Sequence, residues 1–342
     1  MDERDAIFSL VRSSLDGTVP ALPDNLDWHR LFALLQQNHV AALASEAVSR
    51  LPEEQKPPRS VLIPWLSERE KAAAWYRHQL EVQQEITALM QQHGIVTLVL
   101  KGTRLAQLYP QAELREFSDL DLYFQDRHRE ADTLAEQHLG VSVSNDAHHH
   151  SKYNYRGVTV ESHYDFVNAH YPPSNRRYEK LLKELSTANC QLPTFETLFL
   201  LRHMAGHFAA SRITLRDLVD WHLLSNAHRT AADWQRIQKA VEESGMAPFV
   251  EALNAIVANR FGSQIPLHSD DTFAGRIERD TLHNPTEDPR EEDLKRLLWK
   301  LRRYRANRWK HRLTYSHDPA WRLFLASLTS HAAKPRSILH KM

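Results

Sequence analysis

Apolar residues recur near a 3.6-residue spacing at both ends of the chain. Near the middle they tighten into short alternating or continuous runs. Residues 28–50 carry Leu31, Leu34, Leu35, Val40 and Leu43 close to one helical face, and Asp27 stands where a side-chain cap belongs. Residues 51–64 hold four prolines and read as a connector. From Pro64 to about His93 the spacing predicts a long helix, with Gly94 as its stop. Nothing repeats at a fixed period.

The pattern changes at Ile95. Residues 95–100 (IVTLVL) are short, continuous and rich in β-branched side chains, the signature of a buried strand. A short helix over 103–109 should end before Pro110. Residues 117–124 (FSDLDLYF) alternate with period 2 and predict a second strand, and 126–138 a helix. Segments 141–143 and 153–155 are weaker strand signals, and Gly157 introduces a further strand over 158–164 (VTVESHY). After Pro172-Pro173 the spacing is helical again over 195–208, 214–226, 230–244 and 248–261. Residues 265–288 are polar and turn-rich and read as a surface loop or linker, 289–311 as a strongly basic helix, and 319–331 as a last short one. The expected fold is α+β, a small mixed sheet with flanking helices. It divides into a helical region over 1–90, a core over 91–170 and a helical domain over 171–342.

Composition narrows the function classes. The 342 residues hold 43 Lys plus Arg against 43 Asp plus Glu, so net charge advertises neither a nucleic-acid nor a membrane partner. Glycine is scarce, 9 residues, and neither GxGxxG nor GxxxxGK[ST] occurs, which argues against dinucleotide-binding and P-loop proteins. One cysteine, Cys190, excludes an intramolecular disulfide and a cysteine-based zinc site, and it reads as inert. The acidic N-terminus lacks the pattern of a secretory signal, no apolar run approaches membrane-spanning length, and mean hydropathy is −0.54. A cytoplasmic, membrane-free protein is expected.

The chemistry concentrates in Asp119-Leu120-Asp121. On a strand, i and i+2 point the same way, so both carboxylates share one face while Leu120 and Leu122 enter the core. Two carboxylates a few ångströms apart repel by about 4 kcal/mol at an effective dielectric near 20. A cation relieves this, and Mg²⁺, which favours oxygen donors, is the natural choice. Thr159, Glu161 and His163 share a face of the later strand by the same alternation. If that strand pairs beside the first, Glu161 completes a three-carboxylate cluster able to hold two metal ions.

These residues resemble a known family. A strand followed by a Gly-containing turn and a short helix, then Asp-x-Asp, then a strand with one acid, is similar to the polymerase-β-like nucleotidyltransferases. More narrowly, LKGTRLAQLYP, REFSDLDLYF, VTVESHYDF, LLRHMAGHF and RDLVDW resemble the bacterial uncharacterised nucleotidyltransferase family over residues 72–224. The resemblance implies that Gly102 and Thr103 form a turn approaching a triphosphate, and that Asp119, Asp121 and Glu161 hold Mg²⁺ or Mn²⁺ and carry catalysis. It further implies that Lys101, Arg115 and Ser118 belong to the nucleotide site. Thr103 stands where Gly or Ser is usual, and Tyr164 where tryptophan is common. The implied reaction moves a nucleoside monophosphate from an NTP to an acceptor hydroxyl and releases pyrophosphate. A small molecule, a protein or RNA would serve as acceptor.

Other features have two readings each. Lys101 reads equally as a snorkelling strand-end lysine, and Arg115 as a partner of Glu113 or Glu116. His148-His149-His150 reads as a polar loop near the site mouth, since three consecutive side chains do not converge on one ion. His203 and His207 sit four apart on one helix face, for packing or for lining the pocket, and Asp217 and Asp220 read as partners of Arg212 and Arg216. Residues 295–312 hold nine Lys or Arg and no acid, with Leu294, Leu297, Leu298, Leu301 and Tyr304 as an apolar stripe. That segment reads as a core-packed helix with a solvated basic face, leaving Arg302, Arg303 and Arg305 partly free, as a surface for RNA or another polyanion, or as a membrane-surface helix. The competing functions are thus a nucleotidyltransferase, a catalytically silent nucleotide-binding scaffold and an RNA-binding module.

Overall fold

The computed structural model describes residues 2–145, 149–167, 174–186, 193–227, 229–282, 302, 305–319 and 321–323. The chain forms two compact units. One comprises Met1–Tyr164, Thr214–Asn226 and Val257–Ser263, the other Asp165–Ile213, Ala227–Ile256 and Gln264–Met342.

The first unit opens with α1 (Glu3–Asp16), whose first turn is closed by a reciprocal capping box between Asp2 and Asp5. The helix expected over 28–50 is two helices, α2 (Trp28–Gln37) and α3 (Ala41–Ser49). Asp27 caps α2 through Arg30 N at 3.0 Å, as its position implied. The break has a tertiary cause. Buried Asn38 donates to Leu34 O at 2.9 Å and accepts from Leu215 N at 3.2 Å, and His39 takes φ 56°. Helix α4 (Arg59–Gln92) starts before the expected Pro64 and contains that proline in its second turn. Its apolar residues Val82, Ile86 and Met90, at four-residue spacing, meet the sheet.

The sheet has the order β1-β2-β4-β3. Strand β1 (Leu98–Val99) is shorter than the run from Ile95 suggested, because the Ile95 amide is spent on Met90 O at the end of α4. β1 pairs antiparallel with β2 (Asp119–Tyr123), and β2 pairs parallel with β4 (Val158–His163). β3 (His150–Tyr155) runs antiparallel to β4, three residues longer at its start than the 153–155 signal. Residues 141–143 form no strand, although Val141 and Val143 pack on the core. The β3–β4 hairpin turns on Arg156 and Gly157 at φ 52° and 82°, the two left-handed positions of a type I′ turn.

One sheet face carries Leu120, Leu122, Tyr153, Val158 and Val160. These pack against α4 and against Ala131, Leu134 and Ala135 of α6 (His128–Leu139), a helix that links β2 to the β3–β4 hairpin. The other face carries the polar positions of the same strands. Between β1 and β2 lies a single turn of helix, α5 (Thr103–Ala106), which ends earlier than the expected 109. The mixed α+β fold expected from the sequence is therefore present, with a nucleotidyltransferase-like core.

The second unit is helical: α7 (Asn175–Ser186), α8 (Pro193–Ala210), α10 (Ala231–Glu243), most of α11 (Ala247–Phe261), α12 (Ala274–Leu282) and a helix at Arg308–Thr314. The intervening α9 (Leu215–Asn226) belongs to the first unit. Helix α12 corrects the expectation of a loop over 265–288. Its buried Ala274, Ile277, Glu278 and Thr281 follow helical spacing, which the surrounding polar residues obscured. Of the basic segment, Arg302 and Arg305 are exposed, whereas Lys310 is buried and pairs with Asp280 at 2.6 Å. Arg303, the stripe from Leu294 to Leu301, His148 and Cys190 lie outside the described residues. Among the described residues, no helix is long and apolar enough to cross a membrane.

Candidate active site

The site begins in the turn after β1. Leu100 N donates to Asp121 O at 3.0 Å, carrying the β1–β2 pairing one residue further. Residues 101–104 then close a turn in which Arg104 N donates to Lys101 O at 2.9 Å. Gly102 has φ 52° and ψ −116°, the first central position of a type II′ turn, which L-residues avoid. A Cβ there would meet the Phe117 ring at 3.1 Å. Thr103 is buried, and its hydroxyl donates to the Gln83 side-chain oxygen on α4. Glycine and threonine are thus fixed by the local backbone and by α4.

Beneath this turn lies a buried ion pair. Arg115 Nε and Nη2 donate to the two Asp220 oxygens at 2.8 and 2.7 Å, and Nη1 donates to Gly102 O at 3.2 Å. Tyr109 also donates to Asp220, at 2.7 Å. Burial works against the guanidinium charge, but the Asp220 carboxylate more than restores it; burial and the same carboxylate raise the Tyr109 hydroxyl well above its usual range. Arg115 is therefore committed to Asp220 and to the turn carbonyl rather than to Glu113 or Glu116. Asp220 is correspondingly the partner of Arg115, not of Arg212 or Arg216. Arg216 instead lies 3.6 Å from Asp217.

The carboxylates stand on the polar face of the sheet. Asp121 and Glu161 are register partners in the parallel β2–β4 pairing, so their side chains leave the sheet side by side. Asp119 lies two residues earlier on the same face and is half-buried, while Asp121 is 2 % exposed. Lys101 Nζ is 3.1 Å from Asp121 Oδ2, and His163 Nε2 is 3.0 Å from Asp121 Oδ1. Glu161 faces Lys152 at 3.4 Å, His150 at 3.6 Å and His163 at 3.8 Å. Burial, then the charges of Asp121 and Asp119, push the Glu161 carboxyl above its ordinary range. Ser118 is exposed immediately before β2.

A divalent cation fits this donor set. Asp121, Glu161 and His163 each offer a ligand atom within 4.8 Å of the others, and the Asp119 charge is felt at Glu161. Crowded oxygen donors whose mutual repulsion already disfavours ionisation suit a hard cation. The ligand atoms that come together for it belong to Asp121, Glu161 and His163.

Three histidines of this site were given no ligand role by the sequence: His163, and His149 and His150, which read as a polar loop although His150 opens β3. His163 follows Glu161 by two positions, so alternation already placed it on the face. His150 is brought beside it by the β3–β4 register, which no local pattern encodes. His203 and His207 belong to α8 of the second unit, where their rings lie 4.3 Å apart and His203 also meets Phe199 at 6.1 Å.

A mixed four-stranded sheet backed by α4 and α6 has acids on its polar face and a glycine turn between its first two strands, an arrangement consistent with a nucleotidyltransferase-like core. The model of a family described as uncharacterised nucleotidyltransferase matches residues 24–262, well over half of the chain, and the chain belongs to that family. No curated protein and no solved structure gives a significant match.

Proposed function

We propose that this chain transfers a nucleoside monophosphate from an NTP to an acceptor hydroxyl, releasing pyrophosphate, in a reaction that depends on Mg²⁺ or Mn²⁺. The observation that carries the reading is the side-by-side placement of Asp121 and Glu161 with Asp119 on one sheet face, next to the Gly102 turn. A bound divalent ion would neutralise phosphate charge and lower the pKa of the attacking hydroxyl.

The chain's own residues supply the rest. The turn at Gly102 and Thr103, whose conformation L-residues avoid, would offer backbone groups to phosphate oxygens beside the carboxylates. Lys101, held at Asp121, adds a positive charge at the same point. Glu161, whose proton affinity is raised, is suited to take the proton of the acceptor hydroxyl. Arg115 and Asp220 support the turn from below.

The experiment is a transfer assay with each of the four α-labelled NTPs, with Mg²⁺ or Mn²⁺, in the presence of cell extract as acceptor source. Label should enter a small molecule, a protein or RNA, with stoichiometric pyrophosphate. Nucleotide binding with no pyrophosphate released under any condition would leave the silent scaffold as the function. Label recovered only in RNA would make RNA the acceptor.

A further inference from the structure

Beyond the carboxylates, the same sheet face gathers imidazoles. His150 and His163 are register partners across β3 and β4, and their ring centroids lie 5.1 Å apart. His149, one residue before β3, turns its ring to within 4.6 Å of His150 and 5.4 Å of His163. One ring nitrogen from each lies within 4.8 Å of the other two. Consecutive residues do not converge on an extended strand; His149 and His150 do so because His149 lies just outside the strand, where its carbonyl accepts from Tyr164 N at 3.1 Å.

Two ring nitrogens in this group of histidines lack a hydrogen-bond partner among the described residues. His149 Nδ1 and His150 Nδ1 are both buried and unsatisfied, and His150 as a whole is 9 % exposed. Buried polar atoms in folded proteins are nearly always paired, so unpaired ones within a cluster of imidazoles call for a ligand. With Nδ1 unprotonated, a ligand that accepts electron pairs satisfies both. A transition-metal ion does so, and imidazole nitrogens select Zn²⁺, Co²⁺, Ni²⁺ or Cu²⁺ over Mg²⁺. Three imidazoles and one open position form a familiar zinc donor set. In such a set nitrogens stand roughly 3.3 Å apart, from Zn–N bonds of about 2.0–2.1 Å, so a small inward movement of the rings suffices. Asp121, 3.0 Å from His163 Nε2, would orient that ring for ligation through its other nitrogen, Nδ1.

We propose that His149, His150 and His163 form a binding site for a first-row transition-metal ion, Zn²⁺ by donor type, beside the carboxylates Asp119, Asp121 and Glu161 and sharing His163 with the Asp121–Glu161 group. The two sites share the neighbourhood of His163, so occupancy of one is felt at the other. The inference does not rest on nucleotidyl transfer.

Metal-free full-length protein titrated with Co²⁺ in excess Mg²⁺ tests it. One equivalent should bind with the intense visible bands of four- or five-coordinate, nitrogen-ligated Co²⁺, and Zn²⁺ should displace it. The double variant His149→Asn/His150→Asn should weaken Co²⁺ binding at least tenfold while Mn²⁺ binding, read by paramagnetic resonance, changes less than twofold. Asp119→Asn should do the reverse. Should the double variant misfold, zinc-edge X-ray absorption on the wild type counts the imidazoles directly, with two or more expected. No Co²⁺ or Zn²⁺ bound in excess Mg²⁺, an oxygen-only zinc shell, or unchanged Co²⁺ affinity in a folded double variant overturns the proposal.

Discussion

Asp121 and Glu161 are direct partners in a parallel strand pairing, yet their surroundings differ in kind. Asp121 lies between two nitrogen groups, Lys101 at 3.1 Å and His163 at 3.0 Å. Glu161 is crowded by other carboxylates and made a weaker acid by them and by burial. Neutralising the two should therefore have opposite consequences for stability although both abolish the proposed transfer. Asp121→Asn leaves Lys101 facing an uncharged amide and should cost about 3–5 kcal/mol, since breaking a buried pair is destabilising. Glu161→Gln removes a repelled charge and should leave stability level or raise it at neutral pH. Chemical denaturation of both variants at pH 7.5, beside the transfer assay, distinguishes them; equal losses of stability would contradict this asymmetry.

The Arg115–Asp220 pair should behave as a support for the Gly102 turn. Removing one partner leaves a charge buried, so Asp220→Asn or Arg115→Met should each cost about 3–5 kcal/mol. Arg115→Lys keeps the charge but loses the two-pronged geometry and should recover only part of it. The double variant Arg115→Met/Asp220→Leu should be more stable than either single change. Urea unfolding measures all four, and an additive double variant would mean that the pair does not act as a unit.

Gly102→Ala should destabilise by about 1–3 kcal/mol, since the backbone conformation is strained for any L-residue. The new methyl would also crowd Phe117 at 3.1 Å. Adding Phe117→Leu relieves the crowding but not the strain, so the double variant should recover only a fraction. Full recovery in thermal unfolding would assign the whole cost to the ring.

Glu116 accepts from Ala42 N at 2.9 Å at the start of α3, yet burial outweighs that bond and pushes its carboxyl up to about 7 from an ordinary 4.5. The folded chain holds this proton more tightly than the unfolded chain. Its contribution to stability is therefore full below about pH 4.5, is lost as pH rises towards 7, and is constant above. The loss is of order 3 kcal/mol at 1.36 kcal/mol per unit. Glu116→Gln keeps an oxygen for Ala42 N and has no proton to lose. Stability measured from pH 4.5 to 8 should fall for the wild type relative to this variant, and parallel curves would rule the effect out.

Much of this architecture was readable in advance because it is local. The alternation of FSDLDLYF sets the parity of Asp119 and Asp121 whatever the strand pairs with, and the same holds for Glu161 and His163. The spacing of Val82, Ile86 and Met90 specifies the face that α4 presents. Asp27 caps α2 through a bond three residues away. Each of these depends on backbone geometry within a few residues, and side-chain order along the chain carries that information.

What depended on long-range packing was not readable. Nothing near Asn38 announces that its side chain accepts from Leu215 N and splits one amphipathic helix into two. Arg115 and Asp220 lie 105 positions apart, and only burial together excludes the nearer partners. The amphipathic face of α12 was hidden by its polar flanks until other helices covered it. The register that sets Glu161 beside Asp121, and His150 beside His163, is a property of strands paired in space. Sequence order thus determined which residues share a face, because that follows from backbone periodicity. The fold alone decided which faces meet and which charges are compensated, because partner choice depends on desolvation and on contacts between distant segments.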